Sequence, residues 1–275
     1  MSPDSSMVHN VHMSETAEVG IISIATNSYF TYWLDMVKSA YLAVEEGTPL
    51  NFYLFTDQPD RIHEIDQFRD RFRFYFVQIP SYAWPDATIK RYEVIHEHRH
   101  LLENRVLLYL DSDMLIQQDF VPGILGLLQD SEMVLVLHPG YFRPSGLDLL
   151  SLYLSNPKML ARDIALRIKC GGLGAWENRE KSVSFVPRNQ RIRYVCGGTW
   201  FGLNRTFLEY VEHLKEQVSL DDDNQIMAVW HDESHLNKLA NNFKLSFVDP
   251  RYCFDPRFPN LKNLPNIIEA VNKNA

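Results

Sequence analysis

The chain has little of what would mark several common classes of protein. Its 275 residues contain no apolar run of about eighteen, so no segment reads as a membrane-spanning helix. The opening stretch MSPDSSMVHNVHMSETAEVG has no apolar core. It reads as a disordered polar tail over residues 1–18 rather than as a signal peptide. Cysteine is scarce and odd in number: Cys170, Cys196 and Cys253 stand far apart. That excludes a disulfide framework or a zinc ribbon and fits a reducing, cytoplasmic setting. There is also no basic block. Lys and Arg total 27 against 35 Asp and Glu, a formal charge of -8, which argues against nucleic acid as a partner because phosphate contacts need clustered cations. A negatively charged substrate would have to be held by a metal or by a local Arg/Lys pair. Repeats and clear linkers are missing too, so residues 19–275 are expected to form one domain.

What is present is an alternation of strands and helices. VGIISIAT (Val19 to Thr26) is a β-branched run of buried-strand type, and YFTYWLDMVKSAYLAVEEG has helical spacing with Gly47 as its stop. LNFYLFTDQPD and FRFYFVQIP read as two more strands, and IKRYEVIHEHRHLLEN as a helix. RVLLYLDSDMLI reads as a fourth strand and MVLVLHPGYF as a fifth. From about Ser145 to Arg193 no clean period appears, and the Gly-rich, charged KCGGLGAWENREKSVSF predicts a long mobile loop. YVCGGTWFGL restores regularity, followed by a helix over 205–218, another starting near Asp222, and a last strand in KLSFVDPRYCFDP. The pattern predicts an α/β fold, a mostly parallel, Rossmann-like central sheet with helices on both faces.

Two stretches carry candidate chemistry. In YLDSDMLI, a strand would point Asp111 and Asp113 to one side and Ser112 to the other, at the carboxyl end where open α/β sheets bind ligands. Paired carboxylates repel unless a divalent cation lies by them, and hard oxygen donors suit Mn²⁺, with Mg²⁺ as a second choice. The plainer alternative is a solvated strand end. AVWHDESHLNK packs Trp230, His231, Asp232, Glu233, His235 and Asn237 together, a polar cluster costly to bury unless every group has a partner. His231 and His235 at i and i+4 also permit a zinc hydrolase, with Asp232 in the place of the usual glutamate. HPGYF (His138 to Phe142) and CGGTWFG (Cys196 to Gly202) join small residues to aromatics, either as turns or as room for a sugar ring. IKRY supplies Lys90 and Arg91, either surface charge or a phosphate contact.

These pieces, AVWHDESHLNK above all, with FTDQP, HPGYF, the D-x-D strand and WFG in order, resemble glycosyltransferase family 6, the family of the ABO blood-group and α-1,3-galactosyl transferases. The likeness runs from about Val19 to Pro256 and is to soluble members of the bacterial or viral type, cytoplasmic or peripheral to a membrane. It implies a GT-A fold, a hexosyltransferase, and transfer of GalNAc or Gal in α linkage, with retention, from a UDP-sugar to a galactose-terminated glycan acceptor. It implies that Ile24, Ala25, Thr26 and Tyr29 cup the uridine, that Arg91 lies near the donor, and that Asp111, Ser112 and Asp113 form the metal and diphosphate segment. By the same likeness Gly140, Gly197, Gly198 and Thr199 line the donor sugar, Asp232 binds a sugar hydroxyl, His138 and Trp230 meet the acceptor, and Glu233 is the candidate nucleophile. Bacterial relatives with N-x-N work without metal, so the retained aspartates imply metal dependence. The small residue at Gly140 and in the Gly-rich segment favours UDP-GalNAc over UDP-Gal. The family's basic tail closes over the diphosphate, whereas the C-terminal stretch here holds only Lys262 and Lys273, which argues against such closure. A catalytically silent sugar-binding module on the same fold is the remaining alternative.

Overall fold

A computed structural model describes residues 17–242 and 245–273. Residues 1–16 of the expected tail lie outside the described residues. Ala17 and Glu18 are bonded to the sheet, through Asn104 Nδ2 to the Ala17 carbonyl at 2.6 Å and the Val106 N–H to the Glu18 carbonyl at 2.9 Å.

The first unit is β1 (Val19–Ile24), α1 (Tyr29–Ala43) and β2 (Leu50–Thr56), with a 3-10 stretch and β3 (Phe72–Gln78) after it. The helix predicted over IKRYEVIHEHRHLLEN is broken: α2 (Asp86–Ile89) and α3 (Arg91–Glu97) meet at Lys90, and a 3-10 turn closes the segment. β4 (Val106–Leu110) and β5 (Met114–Ile116) flank the acidic motif, and α4 (Val121–Leu127) and β6 (Met133–Leu137) follow. Much of the expected long loop is in fact two helices, α5 (Gly146–Ser155) and α6 (Pro157–Cys170). The C-terminal part holds β7 (Val195–Leu203), α7 (Asn204–Asp223), α8 (His231–Asn242), β8 (Ser246–Val248) and β9 (Ile268–Ala270). The helix expected from Asp222 thus starts nine residues later, because α7 itself runs on to Asp223.

Seven strands form one sheet in the order β3-β2-β1-β4-β7-β6-β8, and β5 pairs with β9 in a separate ribbon. β1 is parallel to β2 and β4, β2 to β3, and β6 to β8. β7 alone runs against its neighbours β4 and β6. The sheet is mostly parallel, as its strand–helix alternation predicts.

Strand alternation divides the core between the two faces. Val106, Leu108 and Leu110 of β4 join Val19, Ile21, Phe52 and Leu54 beneath α1 and α4. Leu107 and Tyr109 join Ile22, Tyr53, Leu135 and Trp200 beneath α3, α7 and α8. Helices on both faces explain why these strands read as near-continuous apolar runs. On the α1 side the buried Trp33 ring stands edge-on to Phe52, Phe74 and Phe76, at centroid distances of 6.5, 6.2 and 6.1 Å. Its truncation to alanine would cost about 3–5 kcal/mol.

Candidate functional site

Strand order reverses between β1 and β4, which opens a crevice at the carboxyl end of the sheet. Because β7 is antiparallel, its first half reaches the same end: Thr199 lies opposite Leu110, and Val195 opposite Leu137. The topology therefore gathers the ends of β1, β4 and β6 and the start of β7, where Ile24 to Thr26, Asp111 to Asp113, His138 and Gly197 to Thr199 lie.

The acidic motif is not part of a strand. β4 stops at Leu110, and residues 111–113 turn the chain out of the large sheet toward the ribbon that β5 makes with β9. The alternation rule therefore does not set the two side chains; their partners do. The Asp111 N–H still bonds the Gly198 carbonyl at 2.9 Å. Its Oδ1 accepts from the Tyr109 hydroxyl at 2.9 Å and lies 3.2 Å from Arg91 Nη2. Asp113 Oδ2 lies 2.6 Å from Lys273 Nζ, which also donates to the Tyr29 hydroxyl at 2.7 Å. Burial, and then Asp111, raise the Asp113 carboxyl above its usual range, and Lys273 opposes them. Ser112 is buried between the two. Of the two tail lysines, Lys273 thus reaches the acidic turn.

Arg91 is the hub. Its buried guanidinium stacks over Tyr109, 4.7 Å from the ring centroid, and Nη1 donates to the Gly197 carbonyl at 2.8 Å. The same nitrogen lies 3.0 Å from Asp232 Oδ2, so one cation joins the β4 turn to the first turn of α8. Glu233, next on α8, accepts from the Gly197 N–H at 2.9 Å and from the Tyr194 hydroxyl at 2.8 Å. Asn237 sits one turn further on and pins β7 to α8: its amide accepts from the Val195 N–H at 2.8 Å and donates to the Val195 carbonyl at 2.9 Å.

This corner carries more negative charge than one guanidinium balances. Burial pushes Asp232 up to about 7, with Arg91 opposing and Asp111 and Glu233 adding. Burial likewise pushes Glu233 up to about 7, against the pull of Gly197, Tyr194 and Arg91. Tyr194 is pushed well above the ordinary phenol range, by burial first and Glu233 second, so it stays a hydroxyl donor.

The glycines are set by close approach. A Cβ on Gly198 would lie 2.7 Å from Asp111 Oδ2, and one on Gly197 would lie 3.3 Å from both Asp232 Oδ2 and Glu233 Cβ. Thr199 is fully buried. His138 is tied in through aromatic rings, 5.7 Å from Tyr194 between centroids, and its Nδ1 accepts from the Gly140 N–H at 3.0 Å. Burial pushes His138 down to about 4. It is therefore neutral at pH 7, with the proton on Nε2 inferred from the bond at Nδ1. A Cβ on Gly140 would meet the Phe258 ring at 3.2 Å and His138 at 3.3 Å, so its smallness serves this packing. Ala25 and Thr26 are buried at the end of β1, Tyr29 opens α1 under Lys273, and Trp230 is 52% exposed just before α8.

Of the residues that matter here, Tyr109 and Tyr194 escaped the sequence reading, and Lys273 was named there only as part of a weakly charged tail. Tyr109 stands two residues before Asp111 and could have been found from strand alternation; the other two are brought in only by the fold.

The zinc arrangement does not assemble. His235 Nε2 faces Asp221 Oδ2 at 3.5 Å, and His231 packs against Trp84 at 5.0 Å between centroids. Among the described residues no three His, Cys, Asp or Glu side chains gather as a metal cage. No helix among them is long and apolar enough to cross a membrane.

The chain is 27% identical over 258 residues to globoside alpha-1,3-N-acetylgalactosaminyltransferase 1 of Gallus gallus, covering 92% of this chain and 66% of that one. To the Mus musculus protein of the same name it is 26% identical over 278 residues, covering 99% and 71%. To histo-blood group ABO system transferase 1 of Rattus norvegicus it is 26% identical over 263 residues, covering 94% and 66%. The chain spans about two thirds of the length of these relatives. The model of glycosyltransferase family 6 matches residues 3–149 and 173–275. With this match over most of its length and a mixed sheet of the kind described, the chain belongs to glycosyltransferase family 6 and has the GT-A fold.

Proposed function

We propose that the protein is a retaining hexosyltransferase that moves GalNAc, or Gal, in α linkage from a UDP-sugar to a galactose-terminated glycan. The observation that carries this reading is the meeting of Asp111 and Glu233 around the Gly197–Gly198 segment, joined by Arg91. One corner thereby offers a carboxylate pair for a diphosphate-bound cation and a separate carboxylate for the sugar.

The donor set suits a hard divalent ion. Asp111 and Asp113 offer oxygen donors, and no third His, Cys, Asp or Glu side chain joins them among the described residues. Mg²⁺-like ions are commonly held in this way, by one or two carboxylates with substrate phosphates and water completing the shell. A bound Mn²⁺ would supply Lewis-acid stabilisation of the departing UDP. Lys273 and Arg91 also lie against the pair, 2.6 Å from Asp113 and 3.2 Å from Asp111. Ile24 to Thr26 and Tyr29, beside the acidic turn, are assigned to the uridine.

Glu233 is assigned to face the anomeric carbon. As the bond to UDP breaks, positive charge grows there, and an anion held still by two donors stabilises it without reorganising. Retention follows either from a covalent glycosyl-enzyme or from front-face attack. Asp232, fixed by Arg91, is assigned to a hydroxyl of the donor sugar. His138 presents a neutral N–H to the acceptor, and Trp230 an exposed ring. The absence of a side chain at Gly197, beside Asp232 and Glu233, leaves room at the donor sugar and favours GalNAc.

Hydrolysis of UDP-Gal, UDP-GalNAc, UDP-Glc and UDP-GlcNAc, each with and without Mn²⁺, tests the reading. Turnover of UDP-GalNAc, with less of UDP-Gal, that needs Mn²⁺ is expected. No turnover of any donor, alone or with galactosyl acceptors, would leave the silent sugar-binding module in its place.

A further inference from the structure

The α5–α6 hairpin turns apolar side chains to solvent. On α6, Leu160, Ile164 and Ile168 recur every fourth residue and so form one stripe; Ile164 is 50% and Ile168 70% exposed. On α5, Leu147, Leu150 and Leu154 are exposed as well. Single exposed leucines need no explanation, but a run of them on consecutive helices does. The other side of α6 is engaged: Asp163 takes Arg143 Nη2 at 2.7 Å, and Arg162 Nη2 donates to the Gly140 carbonyl at 2.8 Å.

Cations surround this stripe. Arg167 and Lys169 flank Ile168, and the segment 188–193 adjoins the end of α6. There Arg188 donates to the Ile168 carbonyl, and a Cβ on Gly171 would meet Arg188 Cβ at 2.8 Å. That segment exposes Arg188, Ile192 and Arg193. No Asp or Glu occurs between Asp163 and Glu177, or from Lys181 to Leu208. A chain of net charge -8 thus concentrates cations around its exposed isoleucines. The family match leaves out residues 150–172, most of the hairpin, so this face belongs to a part of the chain outside the shared pattern.

We propose that this face docks on an anionic lipid bilayer. Its leucines and isoleucines enter the boundary between headgroups and acyl chains, while Arg167, Lys169, Arg188 and Arg193 meet anionic headgroups. Charge complementarity selects this occupant. A second copy packing the same patch against itself would set like charges together. Since α6 also holds the turn that carries His138, docking would keep the acceptor side of the site close to the membrane. That consequence rests on the proposed transferase function; the docking does not.

Co-sedimentation with vesicles tests it, using phosphatidylcholine alone and phosphatidylcholine mixed with phosphatidylglycerol. The wild-type protein is expected to pellet with the mixed vesicles and to be released by high salt. R167Q/K169Q should lower partitioning about fivefold for each cation removed, and I164S/I168S about tenfold or more. Circular dichroism should show both variants folded, and hydrolysis of UDP-GalNAc without vesicles should be unchanged. Loss of docking and failure of the transferase reading are thereby separable. A wild-type protein that stays in the supernatant with mixed vesicles, or variants that pellet as it does, would overturn the proposal. A dimer in sedimentation velocity that I164S/I168S abolishes would also overturn it, in favour of self-association.

Discussion

Replacing Glu233 by glutamine removes a charge and almost no volume, which makes it the sharpest probe of the site. Both carboxylate oxygens are held, by the Gly197 N–H at 2.9 Å and the Tyr194 hydroxyl at 2.8 Å. The glutamine oxygen can keep the Gly197 bond, and the Tyr194 hydroxyl can turn to accept from the new amide. The fold should therefore stand. Burial holds the Glu233 carboxyl up at about 7 against an ordinary 4.5, so the folded state binds its proton more tightly than the unfolded chain does. The resulting stabilisation is fully present below about pH 4.5 and is lost as pH rises through about 7. For a fully buried group that rise would be worth about 3 kcal/mol, and solvent at this half-buried side chain trims it to about 1–2 kcal/mol. Glutamine does not titrate, so Glu233→Gln should exceed the parent in stability by about 1–2 kcal/mol at pH 8 and show almost no gain at about pH 4. Urea denaturation in EDTA at the two pH values measures this. Transfer should fall at least about 100-fold, with UDP affinity kept. Turnover near the wild-type rate would remove Glu233 from its assigned role, and equal stability differences at both pH values would refute the raised carboxyl.

Asp111→Asn with Asp113→Asn should weaken UDP binding, read by calorimetry, and abolish stimulation by Mn²⁺; activity indifferent to EDTA would contradict the metal assignment. Gly198→Ala places a methyl 2.7 Å from Asp111 Oδ2, so kcat/KM for the donor should fall about tenfold or more while the melting temperature changes little. Transfer should decline as pH drops below about 7, because Glu233 then takes up a proton; a flat rate from pH 5 to 8 would exclude that titration. Asn237→Ala removes both side-chain bonds to the Val195 backbone at a buried position and should destabilise the protein by about 2–4 kcal/mol in denaturant.

The strands and most helices of the large sheet were legible because their signals are local. Val19–Ile24, Leu50–Thr56 and Phe72–Gln78 are apolar runs bounded by turn residues, and Tyr29–Ala43 has a clean helical period. In the hairpin α5–α6 the helical spacing is present, Leu160, Ile164 and Ile168 recurring every fourth residue, but the stripe faces solvent and the Gly-rich, charged segment that follows shows no period. The break of α2–α3 at Lys90 and the late start of α8 were missed for a different reason. Those boundaries follow from contacts made elsewhere: Arg91 turned inward to two carboxylates, and residues after Asp223 tied down by Glu177, which accepts from the Val229 N–H at 2.9 Å.

The site divides along the same line. Residue types and their order, D-x-D after an apolar run and Trp-His-Asp-Glu at the start of a helix, were determined by the sequence, since side-chain chemistry and short-range spacing are written in the chain. That Asp111 and Glu233, 122 positions apart, share one corner was decided by an antiparallel strand, β7, laid between β4 and β6 so that its glycines meet both. So were the raised carboxyls and the reach of Lys273 to Asp113, because burial and Coulomb interaction depend on distances through space, which separation along the chain does not set.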